Sequence, residues 1–203
     1  MIPTEILEKY NSQIIAFKKD EYIFYENEKA HAYFQVHTGS VKMSSFSADG
    51  QEFIQGFFGI GESFGDPALF GEFPYPNNAI AVENAEVAKL PKDIFFDLLR
   101  DNFDLHKKFN HAMSHRLRYK AMLLKEISSY WPEHIIMTLL QYLRDHKEDR
   151  AINEEFMVPY TRQQIADMTG LRVETVIRAV KKLAKQGKLE IKAHKIHLAS
   201  KRS

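Results

Sequence analysis

Glu174 and Arg178 stand four residues apart within YTRQQIADMTGLRVETVIRAVKKLAK (160–185), so one turn of helix would place a carboxylate beside a guanidinium. In a major groove such a pair can read bases, since a carboxylate accepts from cytosine N4 and a guanidinium donates twice to guanine O6 and N7. The same spacing also suits an ordinary exposed ion pair. The surrounding residues decide between the two. Arg172, Thr175 and Lys181 share the polar face with the pair, while Leu171, Val176, Ala179, Val180 and Leu183 recur at steps of three to five as a buried stripe.

The elements that must hold this face are legible nearby. Thr161 with Gln164 three residues later forms a capping box for a first helix near 162–168 carrying Ile165, Ala166 and Met168. Gly170 supplies the positive φ that ends it. Two short helices joined by a glycine turn make a helix-turn-helix, with 172–184 as its recognition helix. Beyond Gly187-Lys188, LEIKAHKIHL reads as two alternating runs about Ala193-His194, the β wing of a winged helix, which would bring Lys192, Lys195 and Lys201 near a DNA backbone.

Charge supports that placement. Residues 1–108 hold 10 Lys+Arg against 17 Asp+Glu, net −7, and residues 109–203 hold 18 against 10, net +8. A basic terminal module is what phosphate binding requires. At 44% hydrophobic and 27% charged, the 203 residues have the composition of an ordinary globular protein with room for one large or two modest domains. The lack of cysteine excludes disulfides, thiol catalysis, cysteine zinc sites and cysteine-ligated iron-sulfur clusters. With neither a membrane span nor a signal peptide in view, the expected location is cytoplasmic.

From about 18 to 92, EYIFY, AYFQVH, SVKMSSF, EFIQGFF and EVAKL alternate with turn signals at roughly ten-residue spacing, which predicts a β-sandwich or barrel. Residues 2–10 suit a short leading helix, and Ile94, Phe95, Leu98 and Leu99 a second. From 104 to 129 a long helix carries Phe109, Met113, Leu117, Lys120, Leu124 and Ile127 at three- and four-residue steps, close to a heptad seam. The seam is expected to pack on a second copy; covering the β domain is the alternative. Trp131-Pro132 stops that helix, and residues 133–146 open the C-terminal domain, followed by a loop over 144–155 and a short strand at 156–159.

This organisation, with GSVKM (39–43), DGQE (49–52), GESFGD (61–66) and TRQQIADMTGLRVETVIRAVKKL (161–183), resembles the catabolite-activator and fumarate-nitrate-reductase-regulator (CRP/FNR) family of bacterial transcription factors over nearly the whole chain. The resemblance implies an α+β protein with a jelly-roll sensor domain like a cyclic-nucleotide-binding domain (1–103), a dimerisation helix and linker (104–130) and a winged helix-turn-helix domain (131–203). It implies a homodimer on palindromic double-stranded DNA, and RNA polymerase as a partner. Glu174 and Arg178 match the family's base readers, and Thr161, Arg162, Gln163, Thr175 and Lys181 match positions on or near phosphates. Val173 stands as in the oxygen-regulator branch, whereas Ile177 replaces that branch's serine.

For the sensor domain the resemblance points to a pocket of Gly65, Asp66, Asn77 and Asn78, with Tyr119 and Lys120 from the long helix. Asparagines there replace the arginine and serine that bind a cyclic phosphate, and an amide lacks the charge of a guanidinium, which argues against cyclic AMP. The missing cysteines remove the iron-sulfur switch of the oxygen sensors and the thiolate haem ligand of the carbon-monoxide sensor. The nine histidines form no compact ligand set, although His111 and His115 are four apart, so no metal or haem centre is expected. No catalytic constellation stands out. The expected function is thus a transcription regulator whose effector is unknown or absent, the alternative being a ligand-binding module that works through protein contacts with only non-specific DNA affinity.

Overall fold

In the computed structural model the described residues are 1–128, 131–145 and 155–198. They divide into two compact units, Met1–His115 and Arg116–Ser203, whose boundary falls inside the long helix. Most of the loop expected at 144–155, and Lys201, lie outside the described residues, while Arg144 and Asp145 are helical.

The first unit begins with helix α1 (Thr4–Lys9) and continues through strands β1 (Gln13–Phe17), β2 (Tyr22–Phe24), β3 (Ala32–Thr38), β4 (Val41–Phe46), β5 (Glu52–Phe58) and β6 (Ser63–Phe64). Helix α2 (Asp66–Gly71), strands β7 (Asn78–Ala81) and β8 (Ala85–Pro91), helix α3 (Lys92–Asp101) and the start of α4 (Phe103–Ser128) complete it. The strands form two four-stranded antiparallel sheets, β1-β8-β3-β6 and β2-β7-β4-β5, over a shared apolar core. Strands β1, β6 and β7 were not expected from the sequence. All four residues of β7 are buried, so it shows no alternation.

Strand β3 explains the abundance of aromatic residues. Its side chains alternate between two faces, and both faces are covered. Phe34 packs inward with Phe24 and Phe64 at ring centroid distances of 5.5 and 5.7 Å. Tyr33, on the other face, stacks on Phe95 of α3 at 4.6 Å and meets Phe109 of α4 edge-on at 5.7 Å. Phe109 is 1% exposed. It therefore belongs to the core of the first unit and is not a seam residue. Met113 packs against the same core, and the open part of the stripe starts at Leu117 (69% exposed) and continues through Leu124 (67%) and Ile127 (42%). The alternative expectation holds for the first turns of the helix, which cover the β domain, and the later apolar positions are exposed.

The second unit contains α5 (Pro132–Asp145), β9 (Phe156–Met157), α6 (Arg162–Thr169), α7 (Val173–Lys185), β10 (Glu190–Lys192) and β11 (Lys195–Leu198). The three strands make one antiparallel sheet in the order β10-β11-β9. Helix α7 buries Val176, Ala179, Val180 and Leu183, the stripe that its spacing predicts. Lys182 on its flank meets Glu133 of α5 at 2.7 Å, and the ammonium holds that carboxyl below the usual glutamate range.

Three outcomes test these packing arguments. At Gly39 (φ +75°) a Cβ would lie 2.5 Å from the Asn84 carbonyl oxygen and 2.9 Å from Ala85 Cα, so Gly39→Ala should cost more than about 2 kcal/mol in chemical denaturation of the first unit. Phe109→Ala should cost roughly 3–5 kcal/mol in the same experiment. Because Glu133 is the group with the depressed pKa, the ion pair stabilises above the ordinary glutamate value of 4.5 and is lost as pH falls through the folded-state value. Glu133→Gln should therefore flatten the acid side of the thermal stability profile while costing no more than about 1 kcal/mol at neutral pH.

Candidate nucleic-acid interface

The helix-turn-helix is assembled by local bonds. Thr161 Oγ1 accepts from the Gln164 amide at 3.1 Å, and Gln164 Oε1 accepts from the Thr161 amide at 2.8 Å, closing the expected capping box. Gly170 ends α6 in the left-handed region (φ +70°). Helix α7 starts without a side-chain cap: the Arg172 carbonyl accepts from the Thr175 and Val176 amides, and no side chain bonds the free N–H groups of the first turn. Those N–H groups suit a phosphate oxygen.

On α7, Arg172, Glu174, Ile177, Arg178 and Lys181 are exposed and Val173 and Thr175 are half-buried, so the predicted reading residues share one accessible face. Glu174 and Arg178 form no ion pair in the structure. Arg178 instead donates from Nη2 to Thr175 Oγ1 at a long 3.5 Å, so both charged ends stay available. On α6, Thr161 and Gln163 are exposed and Arg162 is half-buried. Gln163 Nε2 donates to Asp167 Oδ1 at 2.8 Å, so this amide is already engaged on its own helix.

The wing forms as a hairpin turning at Ala193 and His194, both with positive φ. One of its cations is placed differently from expectation. Lys192 Nζ lies 2.6 Å from Glu155 and 2.8 Å from Glu190, and hydrogen bonds to the two carboxylates raise its pKa. Its charge is offset within the wing. Lys195, its partner across the hairpin, is exposed.

In the first unit Gly65 adopts φ +76° immediately before α2. A Cβ there would lie 3.1 Å from Phe24 and 3.2 Å from Tyr75, so aromatic rings fill the space beside the glycine. These two rings stack at 3.7 Å, the Tyr75 hydroxyl donates to the Ala32 carbonyl at 3.2 Å, and burial pushes its pKa up to about 12. Neither ring was among the expected site residues, although Tyr75-Pro76 directly precedes the two asparagines in sequence.

Of the expected pocket residues, Asp66 is buried and accepts from Ser63 Oγ at 3.1 Å. Asn78 bridges backbone groups: Oδ1 accepts from the Glu26 amide at 3.0 Å and Nδ2 donates to the Ser44 carbonyl at 3.3 Å, tying β7 to its surroundings. Asn77 is buried with Oδ1 unpaired. Tyr119 lies in the second unit and stacks on Tyr142 of α5 at 3.7 Å, and burial raises its phenol pKa; Lys120 beside it is exposed. Gly65, Asp66, Asn77 and Asn78 thus offer an acid and two amides, a poor set for a phosphate.

Comparison with known proteins agrees with both halves. The model of the cyclic nucleotide-binding domain matches residues 14–102, and that of the Crp-like helix-turn-helix domain matches residues 133–202. The transcriptional activator protein Anr of Pseudomonas aeruginosa is 26% identical over 182 residues, 89% of this chain and 74% of the relative. The fold is shared with FixK2 of Bradyrhizobium japonicum (TM-score 0.70, 24% identity, 92% of each chain). It is also shared with the c-di-GMP-responsive regulator CLP of Xanthomonas campestris (TM-score 0.72, 20% identity, 97% of this chain and 99% of that one). With a cyclic-nucleotide-binding-like β domain, a long helix and a Crp-like helix-turn-helix in this order, the chain belongs to the CRP/FNR family of transcription regulators.

Proposed function

We propose that the chain is a homodimeric, sequence-specific DNA-binding regulator that reads a palindromic operator through α7. The observation that carries this reading is the accessible face of α7, where Glu174 and Arg178 stand unpaired among Arg172, Lys181 and the uncapped first turn. Glu174 and Arg178 would specify a G·C step, while Val173 or Ile177 supplies an apolar contact such as that to a thymine methyl. Thr161, Arg162, Gln163, Thr175, Lys181 and Lys195 then position the domain on phosphates.

Pairing occurs along the open stretch of α4. Leu117, Leu124 and Ile127 form an apolar stripe that leaves a dimer a seam starting one turn beyond Met113. A two-fold axis there would set the two recognition helices about one DNA turn apart. The named role of the Pseudomonas relative supports transcription activation, a role for which RNA polymerase is the partner we propose. The β domain senses an effector other than cyclic AMP or works without one. The same shortage of cations opposes a cyclic dinucleotide held by phosphate at Gly65, Asp66, Asn77 and Asn78.

Two measurements check this. Arg178→Ala should weaken binding to a selected palindrome by roughly 1–3 kcal/mol while leaving weak, salt-dependent binding to random DNA in place; equal loss on both would remove Arg178 as a reader. Leu117→Glu should shift the protein from dimer to monomer in analytical ultracentrifugation and lower operator affinity with it. An unchanged dimer mass would place the seam elsewhere.

A further inference from the structure

The histidines of α4 carry chemistry that the DNA-binding role does not use. His111 and His115 stand one turn apart, and their Nε2 atoms approach to 3.0 Å with ring centroids 4.3 Å apart. His111 is exposed and His115 half-buried. At 3.6 residues per turn the pair lies away from both the core-facing Phe109 and the open apolar stripe beginning at Leu117.

Two imidazole nitrogens 3.0 Å apart have the bite of a chelate. At a metal–nitrogen distance of about 2.0–2.1 Å they subtend an angle of roughly 95° at a shared ion, the angle of square-planar or octahedral coordination and narrower than a tetrahedral site requires. We propose that His111 and His115 form a two-histidine surface site on α4 for a divalent late-transition ion, Cu2+ or Ni2+ before Zn2+. In the free protein the short N···N approach is a hydrogen bond in which one ring donates from Nε2. On metal binding both Nε2 lone pairs face the ion, so a proton carried on Nε2 in the free protein shifts to Nδ1 of the same ring. Among the described residues no group of three or more histidine, cysteine, aspartate or glutamate side chains could hold a metal, so water or an outside ligand fills the remaining positions. The ion would clip one turn of α4 at the last residues of the first unit.

The test uses the full chain, freed of metal by chelator dialysis and titrated calorimetrically with CuSO4 or NiCl2. One ion per chain is expected. His111→Ala and His115→Gln should each weaken that binding by at least about tenfold with an unchanged helical circular dichroism spectrum, whereas His106→Ala, on the same helix, should bind like the parent. The Cu2+ complex should show two coordinated nitrogens in its electron paramagnetic resonance spectrum. Parent-like binding in His111→Ala and His115→Gln would overturn the site, and so would an equal loss in His106→Ala, which would mean dispersed binding to surface histidines.

Discussion

The ring cluster of Tyr33, Phe95 and Phe109 fastens the long helix to the β domain, and the use of α4 along its length follows from it. Tyr33 and Phe95 stack nearly parallel at 4.6 Å, and Phe109 closes on Phe95 edge-on at 5.4 Å. Each such pair contributes roughly 0.5–1.5 kcal/mol beyond the area it buries. Phe109 and Met113 are committed to this core, and the same helical stripe continues through Leu117, Leu124 and Ile127, which are exposed. Of the 26 residues of α4 only Leu105 and Phe109 are buried. Beyond them Tyr119 packs on Tyr142 of α5, while Leu117, Leu124 and Ile127 leave an exposed apolar stripe.

A similar commitment shapes the interior of the β domain. Phe24 and Tyr75 close against Gly65, and Asn78 spends both ends of its amide on backbone groups. A buried amide with both ends engaged stiffens the junction of β7 with its neighbours, and breaking one bond would leave a polar atom unsatisfied at a cost of about 1–3 kcal/mol. The fold is that of a cyclic-nucleotide-binding domain, and within it Asn78 ties β7 to its surroundings while Asn77 Oδ1 stays unpaired.

What was legible in the sequence was local. The capping box at Thr161, the turn at Gly170 and the stripe from Val176 to Leu183 each depend on residues a few positions apart, and each appears where the spacing puts it. Long-range choices were not legible. The period of α4 marked Phe109 as apolar without revealing that Tyr33 and Phe95 would claim it. Lys192 looked like a free wing cation because Glu155, 37 residues earlier, comes within reach only after β9 joins the sheet. Strand β7 was missed because a four-residue strand buried on both faces has no period to detect.

Small energies decide whether Glu174 and Arg178 could serve the proposed recognition. An exposed i,i+4 ion pair on a helix is worth about 0.3–0.5 kcal/mol, so leaving it unformed costs the free protein little. A bidentate arginine–guanine contact discriminates by about 1–3 kcal/mol. Had the two side chains been locked together in a buried, strongly hydrogen-bonded pair, docking would first have to break it, and the gain at the base would be offset. Exposure on α7, with only a 3.5 Å contact to Thr175 holding Arg178, leaves both charged ends accessible, as the proposed reading of a base edge requires.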